Sequence, residues 1–120
     1  MSSRFRSRVR LTSHVEFDAV QRSGRRVSGR FVTLIGRPNA RDCDRLGVVA
    51  SRRIGSAVTR NRAKRRLREI FRHTGPDAAG ALGRRPLDVV AIARREIVDA
   101  PFAAVRADVD GALRKLRGEK

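Results

Sequence analysis

Gly47-Val48-Val49-Ala50-Ser51-Arg52-Arg53-Ile54-Gly55-Ser56-Ala57-Val58-Thr59-Arg60-Asn61-Arg62-Ala63-Lys64-Arg65-Arg66-Leu67-Arg68-Glu69 is the stretch on which the reading of this chain turns. It begins as a β-branched apolar run, breaks at Gly55-Ser56, and continues to about Arg72 at helical spacing. Stepping about 100° per residue from Leu67 places Ala63, Ile70 and Phe71 within about 60° of it, as a stripe to be buried. Lys64, Arg68, Asn61, Arg72 and Arg65 then fill one continuous arc, with Arg62 and Arg66 beyond it. Like charges at i,i+4, such as Arg60, Lys64 and Arg68, oppose helix formation. A partner that supplies negative charge removes the penalty, and the planar donor fork of Arg suits phosphate oxygens.

The rest of the chain sharpens that reading. Its 120 residues are one domain's worth. The formal charge of +17 points to a polyanion, with nucleic acid ahead of an anionic membrane surface. Residues 52–72 hold nine basic side chains against one acid, whereas from residue 73 onward nine face seven, so the excess sits in the middle segment. A second basic run, Arg4, Arg6, Arg8 and Arg10, marks 1–10 as a flexible arm, and 118–120 as a frayed end completes a single RNA-binding domain over 1–120. No apolar run is long enough to span a bilayer and no signal peptide is apparent, so no membrane partner and a cytoplasmic location are expected. Cys43 alone forms no internal disulfide, and with His14 and His73 it makes no convincing zinc site.

Coarse elements follow from punctuation and periodicity. Thr12 or Ser13 caps a helix running to Gln21 or Arg22, with Val15, Ala19, Phe17 and Val20 as candidates for its inward face and Gly24 ending it. Arg30–Arg37 reads as a strand, with room for a short one at Arg25–Ser28, and Leu46–Ser51 as the antiparallel return of the former. His73-Thr74-Gly75-Pro76 stops the basic helix, and a loop runs to Arg85-Pro86. Leu87–Ala93 is apolar enough to lie inside a sheet. Pro101 starts a last helix with an apolar face at Phe102, Val105, Val109, Ala112, Leu113 and Leu116.

The quoted stretch resembles the signature of the bacterial ribonuclease P protein subunit. It combines a strand ending in Ser and two basic residues, an Ile-Gly-x-Ala-Val turn, an Arg-Asn-Arg core and a Lys-Arg-x-x-Arg continuation. Leu11 with Phe17, and Asp88-Val89-Val90-Ala91-Ile92-Ala93-Arg94, resemble the family's first helix and last strand, so the likeness covers nearly the whole chain. It implies an α+β, two-layer αβββαβα sandwich of the ribosomal protein S5 domain 2-like kind. In that fold helices pack on one face of a four-stranded sheet, with a left-handed crossover around the basic helix. It further implies that the RNA subunit, holding Mg²⁺ with the substrate, is the catalyst that removes the 5′ leader of precursor tRNA. The protein would dock on that RNA and hold the leader in a cleft between sheet and first helix. Matching positions place Arg52, Arg53, Arg60, Asn61, Arg62, Lys64, Arg65 and Arg68 on the RNA surface, and Phe17, Ile35, Ser51 and Arg52 at the leader cleft. Members often carry further aromatics there, where this chain has Gln21 and Ile35; Phe31 compensates if the strand register points it into the cleft, while alternation favours it as a core residue.

The residues themselves agree with that division. There is no Ser/His/Asp arrangement, no phosphate-binding Gly-rich loop and no carboxylate pair at metal-ligand spacing, so no catalytic residue, no metal ligand and no protein-bound cofactor are assigned. His14 and His73 read as surface and capping residues, and Cys43 as incidental. The partners expected are ribonuclease P RNA and precursor tRNA. A ribosomal or other structural RNA-binding protein is the competing reading. A DNA-compacting protein is a third, disfavoured because a basic helix beside a sheet cleft suits folded and single-stranded RNA.

Overall fold

The computed structural model describes residues 10–11, 13–39, 44–74 and 86–117. The expectations for the arm over 1–9, Cys43, the loop at 75–85, the side chain of His73 and the end at 118–120 fall outside the described residues. Helix α1 spans His14–Ser23, and Ser13 caps it by accepting the Val15 N–H at 3.2 Å. Strands β1 (Arg25–Ser28), β2 (Val32–Pro38) and β3 (Arg45–Val49) follow, then helix α2 (Ala57–Thr74), strand β4 (Leu87–Ala93) and helix α3 (Phe102–Leu116). This is the αβββαβα order of an α+β fold, with a four-stranded mixed sheet ordered β1-β2-β4-β3.

Two expectations are corrected. β3 is not the antiparallel return of β2: β4 lies between them, antiparallel to β2 and parallel to β3. Leu87, Val89, Val90, Ala91 and Ala93 of β4 are buried on both sides of the sheet, so this strand is largely shielded from water at the centre and displaces the less apolar β3 to the edge. Nor do all helices share one face. Val32, Leu34, Leu46, Val89 and Ala91 pack against Ala63, Leu67, Ile70 and Phe71 of α2 and Val105, Val109, Leu113 and Leu116 of α3. Ile35 and Val90 point the other way and pack with Leu11 and with Val20 of α1. Two-residue alternation along β2 and β4 thus divides the core in two, with α1 the only described helix on the second side. Val15, expected to face inward, is 75% exposed because it lies about 140° round α1 from the buried Val20.

Polar ties join the layers. Arg45, its side chain 9% exposed, donates from Nε and Nη2 to the two Asp88 carboxylate oxygens at 2.9 Å each, while Nη1 lies 2.7 Å from Glu16 of α1. Asn39 donates to the same Asp88 at 2.8 Å. The Asp88 hydrogen bonds outweigh the cost of burial and hold the Arg45 pKa above the usual Arg range. Asp44 accepts the Leu87 N–H at 2.7 Å and pairs with Arg117 just beyond α3, yet its burial pushes the carboxyl above its ordinary value. Asp108 of α3 accepts the N–H groups of Arg30, Phe31 and Val32 at 3.0, 2.9 and 3.3 Å, which fixes the β1–β2 turn.

Removing one partner of a buried ion pair strands the other, so Arg45→Met is expected to lower unfolding free energy by about 3–5 kcal/mol in urea titration. Combining it with Asp88→Leu should recover a large part of the loss, because no buried carboxylate is then left unpaired on β4. A single variant as stable as the parent would show that the network carries no weight.

Candidate nucleic-acid interface

The entry to α2 is built by backbone geometry. After β3 the chain makes a short 3₁₀ turn at Arg52–Ile54, buries Ile54, and passes through Gly55 at φ 152°, ψ −152°. Side chains are strained in that region, so glycine alone turns the chain there cheaply. Ser56 then accepts the Thr59 N–H at 3.3 Å and the helix begins. With Ala63, Leu67, Ile70 and Phe71 buried, Asn61, Arg62 and Arg65 stand exposed and Arg60, Lys64 and Arg68 are partly covered. Among the described residues, none of Arg60, Arg62, Lys64, Arg65 and Arg68 has an ion pair or side-chain hydrogen bond. Burial, and then the neighbouring charge of Arg10, press the Arg68 guanidinium below its usual range. Arg10 is held there by a bridge to Leu46 on the outer edge of β3. Two guanidinium groups in mutual repulsion form a place where an anion is stabilising.

Arg72 on this arc and Arg66 beyond it are instead held within the protein. Arg72 pairs with Glu69, and Arg66 donates to backbone carbonyls near α3.

Ser51, Arg52 and Arg53 are exposed immediately before α2. Ser51 and Arg53 line a cleft of about 540 Å³ with Ile54, Ala93, Arg94, Arg95 and Glu96, where the parallel strands β3 and β4 end together. Carboxyl ends of parallel strands are the usual place for ligands in α/β sheets. The sequence reading assigns no site role to Arg94 or Arg95, although an Arg-Arg pair directly after the most apolar strand is a signal for one. Arg94 lies 3.9 Å from Glu96, too far for a strong pair.

A second surface lies where α1 crosses the sheet. Phe17, Val49 and Ile92 are partly buried and pack on Leu11, Val20, Ile35 and Val90. The Phe17 ring sits directly over Gly47: a Cβ built there would meet its Cζ at 2.5 Å. Ile35, expected to line this cleft, is 1% exposed, because α1 covers its position in β2, so it supports the surface from below and offers no contact area. Phe31, at the bend just before β2, is partly buried against the opposite core, where strict alternation with Ile35 would not place it, and cannot supply a ring here. β3 rises about 3.3 Å per residue, so Ser51 follows Gly47 by about 13 Å along one path from ring to arginines. Among the described residues, no three His, Cys, Asp or Glu side chains converge as a metal site requires. No described helix is long and apolar enough to cross a membrane.

A small mixed-sheet domain that presents an arginine-rich helix face beside a half-open apolar sheet face is an RNA-binding protein. Residues 5–117 match the family model described as Ribonuclease P, and the chain belongs to that family. It is 37% identical over 106 residues to the ribonuclease P protein component of Chloroflexus aggregans, covering 88% of this chain and 76% of that one. With its counterpart from Thermotoga maritima the identity is 30% over 122 residues, covering 98% and 100%. Among solved structures, the Staphylococcus aureus RNase P protein superposes with a TM-score of 0.74 at 25% identity, covering 89% of this chain and 94% of that one. The Thermotoga maritima RNase P protein gives 0.69 at 27%, covering 98% and 97%. The chain is thus a protein component of the ribonuclease P holoenzyme, an endoribonuclease of tRNA processing, and its family implies ribonuclease P RNA as partner.

Gly47→Ala is expected to push the Phe17 ring off β3 and cost about 1–3 kcal/mol, the usual range for overpacking. Ring-proton chemical shifts of Phe17 beside a thermal melt check this: unchanged shifts would mean that the ring does not rest on Gly47.

Proposed function

We propose that the chain divides its RNA contacts between two surfaces. Arg60, Asn61, Arg62, Lys64, Arg65 and Arg68 dock on the catalytic RNA, while Phe17 with Ser51, Arg52 and Arg53 holds the 5′ leader of precursor tRNA. The observation that carries the reading is the row of α2 cations with no acid to pair them, closed by Arg68 and Arg10 at the edge of β3. Phosphates placed along that row relieve the repulsion and release counterions. The leader runs across the Phe17, Val49 and Ile92 face toward the arginines at the ends of β3 and β4, where bases stack or pack and phosphates pair with guanidinium groups. In this reading hydrolysis of the phosphodiester bond, which leaves a 5′-phosphate on the tRNA, belongs to the RNA subunit. Mg²⁺ is held by that RNA and the substrate. The protein binds, orients and neutralises, in the cytoplasm, without a membrane or DNA partner.

Reconstitution tests this against the structural RNA-binding alternative. Adding the chain to a bacterial ribonuclease P RNA should raise precursor tRNA cleavage at low Mg²⁺, and the chain alone should cleave nothing. Binding without any gain in cleavage would favour the alternative.

Replacing Arg62 and Arg65 together with Ala should weaken docking and reduce the slope of log K against log salt by about 0.7–0.9 for each phosphate no longer neutralised. Neither residue touches the buried stripe, so the thermal midpoint should hardly move. A large drop in midpoint at unchanged affinity would make them structural.

Phe17→Ala should weaken holoenzyme binding of precursor tRNA by about tenfold to a hundredfold while sparing mature tRNA, which lacks the leader. Equal losses for both RNAs with a collapsed melting curve would assign Phe17 to the core alone.

A further inference from the structure

We propose that Arg66 is a positioning residue: it ties α2 to the β4–α3 corner and thereby sets the width of the cleft between Arg53 and Arg95. The inference rests on the reading of that cleft as an RNA site, and it adds a residue that makes no RNA contact itself. Arg66 lies about 100° from Leu67 on the flank of α2 away from Arg68, so one flank of the helix faces the arc of free cations and the other faces α3. From that second flank its guanidinium donates Nη1 to the Ile97 carbonyl at 3.2 Å and Nη2 to the Ala100 carbonyl at 2.5 Å.

Those two carbonyls belong to the corner whose first residues form one wall of the cleft. Arg94, Arg95 and Glu96 line it, and Ile97 behind them is fully buried. The opposite wall, Ser51, Arg53 and Ile54, runs through Gly55 directly into α2. Each wall is therefore continuous with one end of the Arg66 link. A planar fork reaches two carbonyls from two separate nitrogens; the three donors of a Lys ammonium radiate from one atom and do not reproduce that geometry. The helix that docks on one RNA and the corner that grips another strand then move as one body.

The test uses reconstituted holoenzyme with Arg66→Ala, Arg66→Lys, Arg95→Ala and the Arg66→Ala/Arg95→Ala pair. Arg66→Ala should lower precursor tRNA affinity by about fivefold to tenfold, the scale of coupling between neighbours in one network. The salt slope of assembly with the catalytic RNA should stay as it was, because every phosphate keeps its cation. Arg66→Lys should restore part of the affinity, and the double variant should bind no worse than Arg95→Ala within about twofold. If Arg66→Ala fails to fold, Arg66→Lys, which keeps the charge, carries the same comparison. A slope reduced by about 0.7–0.9 would make Arg66 a direct phosphate ligand and overturn the proposal. So would additive losses in the double variant, or an Arg66 variant that binds like the parent while Arg95→Ala does not. Should Arg95→Ala itself bind precursor normally, the cleft reading fails first and the role of Arg66 falls with it.

Discussion

The Arg45 guanidinium is the joint on which this small fold is assembled. It sits on the edge strand β3, grips Asp88 on central strand β4 through two parallel hydrogen bonds, and reaches Glu16 on α1 with its remaining nitrogen. One side chain thus sets the register of the parallel pair and the position of the helix that crosses it. A buried ion pair of this kind gains little over well-packed apolar residues, since desolvation offsets much of its attraction. What it supplies here is orientation: with Glu16 drawn toward β3, Phe17 is delivered onto Gly47 and Val15 is turned to solvent.

The same layout explains how a chain of charge +17 remains folded. Two of its acids, Asp88 and Asp44, sit where arginines are buried, paired with Arg45 and Arg117. Among the described residues, the exposed Arg62 and Arg65 of α2 are left without acidic counterparts. The surface is therefore electrostatically incomplete, and in the proposed reading RNA completes it. The Gly55 turn leads into α2, and Arg66 ties that helix to the carbonyls of Ile97 and Ala100.

Much of this was legible in the sequence because local rules and the tertiary result agree. The Ser13 cap, the Gly55 break, the buried stripe of α2 and the Pro101 start all lie in short windows where periodicity and capping chemistry decide. Strand pairing is different. Nothing within Leu46–Val49 reveals that β4, some forty residues later, takes the place beside β2; only the apolar richness of β4 hinted at it. Side-chain roles split likewise. Arg62 and Arg65 could be placed outward by angle alone, whereas Ile35 was assigned to a surface that α1 covers. Arg66 looked like one more surface cation, because the carbonyls it meets come from a segment that no helical wheel contains.

The strand order also governs the birth of the molecule. β2 and β3 cannot complete their ladders until β4 emerges between them, and the Asp108 clamp on the β1–β2 turn and the Arg117 partner of Asp44 arrive later still. During synthesis, at roughly 5–20 residues per second, the earlier strands therefore wait for several seconds with open edges. The helix they will carry is meanwhile already made of mutually repelling arginines. Repulsion of that kind opposes association while the edges are bare, so the charge of α2 also works against aggregation.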